Sequence, residues 1–166
     1  MSSTSSPIPI ILSWRLILTR LEKIHVDLHG EVPRWTKNRF LSSQLGVKPL
    51  AHLVHIRKAV GDAYETDAIV ITANGIVIIT SSLRGFRSEL IPWAFIQNVS
   101  WQYEYPEDEQ SSTVRITIFI IGKNRNLELS YKLDNGKMTG LDRELRMFFI
   151  TYSRAMQEAH KGTNGT

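Results

Sequence analysis

The sequence predicts an α+β domain: N-terminal helices, a strongly bent antiparallel β-sheet or partly open barrel of six to seven strands, and one C-terminal amphipathic helix. Three observations carry that expectation. Apolar residues at Ile10, Trp14, Ile17, Leu18, Leu21, Ile24 and Leu28 keep the three-and-four spacing of a helix. From Asp67 to Trp101 the pattern changes to β-branched runs, "DAIVITA" and "IVIITSS", joined by Asn74-Gly75. Towards the end, Leu141, Leu145, Phe148, Phe149, Tyr152 and Met156 restore a helical stripe.

The first helix is expected from about Ile11 to His29, with Gly30 as its stop and Pro33 unable to extend it. The stretch "EVPRWTKNRFLSSQLGVK" has weak periodicity and reads as irregular. Pro49 suits a first helical position, and Leu50, Leu53, Val54 and Val60 suggest a second helix ending near Gly61. Asn74-Gly75 between β-branched runs predicts a hairpin with a type I′ turn, both turn residues taking positive φ. "SELIPW" follows as a short strand that Pro92 ends or places at an edge. "FIQNVSWQY" is a further strand, and "EYPEDEQSS" is an exposed acidic loop. "TVRITIFII" and "NLELSYKL" form a meander around residues 122–125, with a turn at Asp134-Asn135-Gly136. Thr139 with Asp142 three residues on is a capping-box variant that opens the last helix. Residues 1–61 thus read as a helical segment, 62–159 as sheet plus C-terminal helix, and 160–166 as a disordered tail.

A chain of 166 residues with 42% hydrophobic content suffices for one sizeable core. It contains no cysteine, which excludes disulfides, thiol nucleophiles and thiolate metal sites. Its first apolar run is interrupted by Trp14-Arg15 and is preceded by no basic residue, unlike a signal peptide or a spanning helix. The expectation is a soluble, cytoplasmic protein, at most peripheral to a membrane. Charge is uneven: residues 1–61 carry nine Lys/Arg against three Asp/Glu, residues 62–112 two against eight, and 113–166 nine against five. Such segregation suits internal pairing, self-association or an anionic partner, and equally an ordinary solvated surface.

The strand run opening with "AIVITANGIVIIT", its basic break, "ELIPWAFIQNVSW", the meander and the final helix resemble bacterial pleckstrin-homology-like and GRAM-type domains over residues 62–159. Thr72 with Ile76 to Ile79, then Ile91, Pro92, Ile96 and Val99, occupy the positions of that family's hairpin and following strand. The resemblance implies a non-catalytic binding module for membrane lipids, peptides or protein partners, with no cofactor.

Arg84 and Arg87 flank Gly85 and Phe86 in the break after the hairpin, where two guanidinium forks suit a phosphate or carboxylate. An aromatic between them suits insertion at a membrane interface. Lys123 and Arg125 join this site if both turns reach one end of the sheet. "PRWTKNRF" supplies a second basic group, Arg34, Trp35, Lys37 and Arg39, whose interleaving of cation and aromatic also suits nucleic acid. Each group is also what ordinary loop charge looks like. His25 and His29, and His52 and His55, have helical metal-ligand spacings, but two histidines do not close a site, and no metal is expected.

Catalysis finds little footing. Asp67 stands where a nuclease fold would place a first ligand, yet the next strand offers Ile79, Thr80 and Ser81 instead of a carboxylate and lysine. The expected function is therefore attachment to an anionic membrane surface or a protein partner. A self-assembling, matrix-like structural protein is the alternative, with Trp14, Trp35, Trp93 and Trp101 divided between core and contact, and a nucleic-acid-binding protein is the third. For every tryptophan the core is favoured, least firmly at Trp35.

Overall fold

The computed structural model describes residues 12–58, 63–105, 107, 111–122, 126–134 and 140–164. Its elements in chain order are α1 (Trp14–His29), a 3-10 turn (Arg34–Lys37), α2 (Leu41–Gln44), β1 (Pro49–Lys58), β2 (Tyr64–Thr72), β3 (Gly75–Ser81), β4 (Phe86–Pro92), a 3-10 turn (Trp93–Phe95), β5 (Ile96–Glu104), β6 (Ser111–Ile120), β7 (Leu127–Asp134) and α3 (Gly140–Asn164). The strands form two antiparallel sheets, ordered β1-β2-β3-β4 and β5-β6-β7. The α+β class holds, and the described residues form seven strands. The sheet divides in two, without closing, where the turn at Trp93–Phe95 separates β4 from β5.

One expectation is overturned at residues 49–61. The predicted second helix is strand β1, paired with β2 from Pro49 opposite Thr72 to Lys58 opposite Tyr64. The first sheet therefore begins at Pro49, ahead of position 62. Leu50, Leu53 and Val54 fit a helical stripe, but burial follows a period of two, with Pro49, Ala51 and Leu53 inside. The reason lies in β2, which is buried on both faces from Thr66 to Thr72 and sits between two hydrogen-bonded neighbours. Pro49 begins an edge strand, where its missing N–H costs little.

The sheets enclose the main core. Leu53, Ile69, Ile71, Ile76 and Ile91 of the first meet Val114, Ile116, Ile118 and Leu129 of the second, and α3 adds Leu145, Phe148 and Ala155. The opposite face of the first sheet has its own cover. Trp14, Ile17 and Leu21 of α1 join Trp35 against Ala68, Val70, Val77 and Ile79. Ser13 caps α1 by accepting the N–H of Leu16, and Gly30 ends it in the left-handed conformation at φ 70°, its N–H donating to the Val26 carbonyl. α1 thus starts at Trp14, a little later than the spacing suggested.

Three details at the chain's turns and end need correction or placing. No described residue other than glycine has positive φ, so Asn74-Gly75 is not a type I′ turn. Instead Thr72 Oγ1 accepts the N–H groups of Asn74 and Gly75, both at 3.2 Å, and donates to the Gly75 carbonyl. Residues 160–164, expected as a disordered tail, continue α3 to Asn164. The expected turn at Asn135-Gly136 and the cap residue Thr139 lie outside the described residues.

Gly75 has φ 154°, in the region that favours glycine, and a Cβ there would collide with the Ile91 carbonyl oxygen and lie 2.8 Å from Pro92 Cα. Gly75→Val should therefore lower unfolding free energy by about 2 kcal/mol or more. Asn74→Ala should cost less than about 0.5 kcal/mol, because no positive φ is required of it. Denaturant melts of both variants check this; a costly Asn74→Ala beside a mild Gly75→Val would contradict the turn geometry.

Candidate anion-binding surface

The connection between β3 and β4 is a tight turn. The Ser82 N–H donates to the Gly85 carbonyl and the Gly85 N–H donates to Ser82 Oγ, each at 2.9 Å. Residues 33–35 are fastened to this turn. The Arg34 N–H donates to the Leu83 carbonyl at 2.8 Å, and Trp35 Nε1 donates to the Ser82 carbonyl at 3.0 Å. The Trp35 ring also lies 5.3 Å from Phe86, tilted by 50°. Two basic groups some fifty residues apart in sequence therefore share one surface.

Within that surface the candidates divide. Arg34, Lys37, Arg39 and Arg84 are exposed. Arg87, on β4 itself, has an 80% exposed side chain 3.8 Å from Glu89. The two aromatics do a different job from the one the sequence suggested. Phe86 is half-buried against Trp35, not an exposed residue free to enter a bilayer, and Trp35 is buried at 9% exposure. They lock the 3-10 turn to the β3–β4 turn and leave the cations outside. Among the tryptophans it is Trp101 that is exposed, at 47%, its ring 3.8 Å from Phe149.

Lys123 and Arg125 lie outside the described residues. The residues flanking them are placed: Ile120, Asn126 and Leu127 line a cleft of about 340 Å³ together with Arg57, Arg87 and Glu89. The end of β6 and the start of β7 thus border β3 and β4 of the first sheet. The floor of this cleft is polar and already committed. Asp67 accepts from Arg57 Nε at 2.7 Å and from Thr80 Oγ1 at 3.1 Å, and Arg57 also pairs with Glu65. Burial pushes the Asp67 carboxyl up, but its hydrogen bonds with His55, Arg57 and Thr80 outweigh this and hold it below the usual range. The carboxylate that suggested a nuclease ligand is a structural partner of Arg57.

The histidine pairs part company. His52 and His55 lie on a strand, so their i, i+3 spacing sends them to opposite faces. His52 Nε2 is 2.8 Å from Arg20 Nη1 of α1, and Arg20 pairs at 2.8 Å with Glu144 of α3. His55 Nδ1 lies 3.9 Å from Asp67. His25 and His29 stack at 5.9 Å. His25 is fully buried, its Nε2 3.0 Å from Ser81 Oγ and 3.3 Å from Thr66 Oγ1. Among the described residues no group of three or more His, Cys, Asp or Glu side chains is placed to hold a metal ion. No helix among them is long and apolar enough to cross a membrane.

Sequence reasoning passed over Arg15 and Arg20. Arg15, Thr19 and Glu22 recur at helical spacing on one flank of α1, the signal that they share a face, and that face borders Arg39.

The histidines make stability depend on pH. Burial lowers the His25 imidazole below its ordinary 6.5, helped by His29. Burial likewise lowers His52, helped by Arg20 and opposed by Glu144. Groups that protonate more readily when unfolded contribute stability above pH 6.5, and that contribution is lost as pH falls from there through the lowered folded values. The melting temperature should fall as pH is lowered from 7.5 to 5. His52→Gln, which can still accept from Arg20 but cannot titrate, should flatten the profile. An equally steep profile in His52→Gln would remove His52 from the account.

No family model, no curated protein and no solved structure matches this chain.

Proposed function

We propose that this chain is a non-catalytic binding module of pleckstrin-homology-like fold that attaches to an anionic membrane surface. The observation that carries the reading is the fastening of the Arg34–Lys37 turn to the β3–β4 turn, which brings Arg34 beside the turn of Arg84, with Lys37 and Arg39 also exposed on the segment that follows. Cations on rigid turns hold their positions without further ordering, and each contributes about 1 kcal/mol near an anionic bilayer. Among the described residues, seven antiparallel strands followed by one C-terminal helix support the fold assignment. Engagement of Asp67 by Arg57 and Thr80 supports the absence of catalysis. Attachment through surface cations suits a peripheral, cytoplasmic protein.

Vesicles of phosphatidylcholine with phosphatidylserine should float the protein at low salt and lose it towards physiological salt, since the Debye length shortens to about 8 Å at 0.15 M. Arg34→Glu with Arg84→Glu should weaken flotation at least about tenfold. The melting temperature should change little, because both side chains are exposed. Flotation of the double variant equal to that of the native protein would overturn the reading. Binding that ignores lipid but follows these charges would instead indicate an acidic protein partner.

A second reading, self-association, has an observation of its own. β5 is an edge of its sheet; Trp101 and Tyr103 are exposed on it at 47% and 42%, and Tyr105 just beyond its end at 70%. An open strand edge bearing aromatics suits antiparallel pairing with the same strand of a second copy. Light scattering should then give a dimer that Trp101→Arg makes monomeric; a native monomer at high concentration would end this reading.

A further inference from the structure

Beyond membrane attachment, we propose that the cleft between α1 and residues 35–42 binds a small phosphate monoester with a hydroxyl-bearing body, of the size of a nucleoside monophosphate or a sugar phosphate. The cleft, open to solvent on one side, has a volume of about 600 Å³, room enough for such a molecule. Arg15 on the helix and Arg39 on the opposite wall both line it. Neither guanidinium makes a hydrogen bond or ion pair to another described residue. Two exposed, uncommitted forks lining one concavity suit an anion that takes two donors from each, as a phosphate does.

The neutral groups around the cleft refine this choice. Asn38 Oδ1 accepts the N–H of Phe40 at 3.1 Å, which fixes the orientation of the amide and leaves its NH₂ group as a donor. Ser42, which lines the same wall, supplies a hydroxyl. Thr19 and Thr36 donate to the Arg15 and Pro33 carbonyls, so they offer lone pairs and no hydrogen to an anion. The apolar side chains of Leu18 and Leu41 also line the cleft, giving the ligand's body a surface to lie on.

Glu22 decides against a bare anion. It lines the same cleft seven residues beyond Arg15, roughly 10 Å along the helix at about 1.5 Å per residue. A carboxylate there repels a second anionic group and accepts hydrogen bonds from hydroxyls. The cleft therefore suits a molecule about that long, phosphate at one end and hydroxyls at the other. Inorganic phosphate would meet only the first half of the site.

Soluble probes test this without any bilayer, so the outcome is independent of the vesicle result. Adenosine 5′-monophosphate and glucose 6-phosphate are titrated calorimetrically into the full chain, with inorganic phosphate and adenosine as controls. At least one ester should bind more tightly than either control. Arg15→Gln and Arg39→Gln should each weaken it about tenfold or more, and Glu22→Gln should weaken the ester without weakening inorganic phosphate. Unchanged melting of these variants, at exposed Arg15 and Arg39 and partly buried Glu22, shows that they fold. The proposal is overturned if no ester binds at millimolar concentration, if inorganic phosphate binds as tightly as the esters, or if both arginine variants bind as the native chain does. Binding to vesicles carrying a phosphorylated inositol lipid, with no binding of either soluble ester, would assign the cleft to a headgroup and overturn the soluble-ligand proposal.

Discussion

Strand β2 is the constraint on which the molecule rests. Seven consecutive residues from Thr66 to Thr72 are buried, so neither face can be left to water and neither edge can be left unpaired. β1 and β3 satisfy its backbone on the two sides, and their pairing carries Leu53, Ile76 and Ile78 onto the face shared with Ile69 and Ile71. That face requires the second sheet and α3. The other, bearing Ala68 and Val70, requires α1.

The second requirement determines where the basic residues go. Covering the outer face with α1 makes the chain return to β1 through residues 30–48, and that return is held down by buried indoles. Trp14 Nε1 donates to the Val47 carbonyl and Trp35 Nε1 to the Ser82 carbonyl, so each ring fills apolar space while its single donor is satisfied. Arg34 is consequently held beside the β3–β4 turn that carries Arg84, and the gap left between the return and the helix is the cleft lined by Arg15 and Arg39. Packing of apolar side chains and convergence of cations are one event.

Polar contacts hold the margins. Arg20 links α1 to His52 on β1 and to Glu144 on α3, and Arg57 joins Glu65 to the buried Asp67. The partly exposed Arg20–Glu144 pair contributes little net stability beside the core, whereas the buried Asp67 would be left uncompensated without Arg57. These contacts also act on register, since a one-residue slip of β1 would send His55 and Arg57 away from Asp67 and expose Leu53.

Local pattern by itself determined α1 with its Gly30 stop, the β2–β3 hairpin, the succession of strands through β7 and the apolar stripe of α3, because each announces itself within a few turns or a few alternations of the chain. It did not determine β1. "PLAHLVHIRK" satisfies a helical and an extended reading alike, and the choice came from the unpaired edge of β2, which no window over residues 49–58 contains. The Asn-Gly connection was legible as a turn, but its type was decided by the close approach of Ile91 and Pro92 to Gly75. The same division runs through the candidate site. The cations were legible as charge, whereas the approach of Arg34 to the β3–β4 turn, the packing of Trp35 on Phe86, and the sharing of one cleft by Arg15 and Arg39 depend on contacts across tens of residues. Tertiary structure decided these because hydrogen-bond partners and van der Waals neighbours are set by distance in space, and sequence spacing reports that distance only within a single helix or strand.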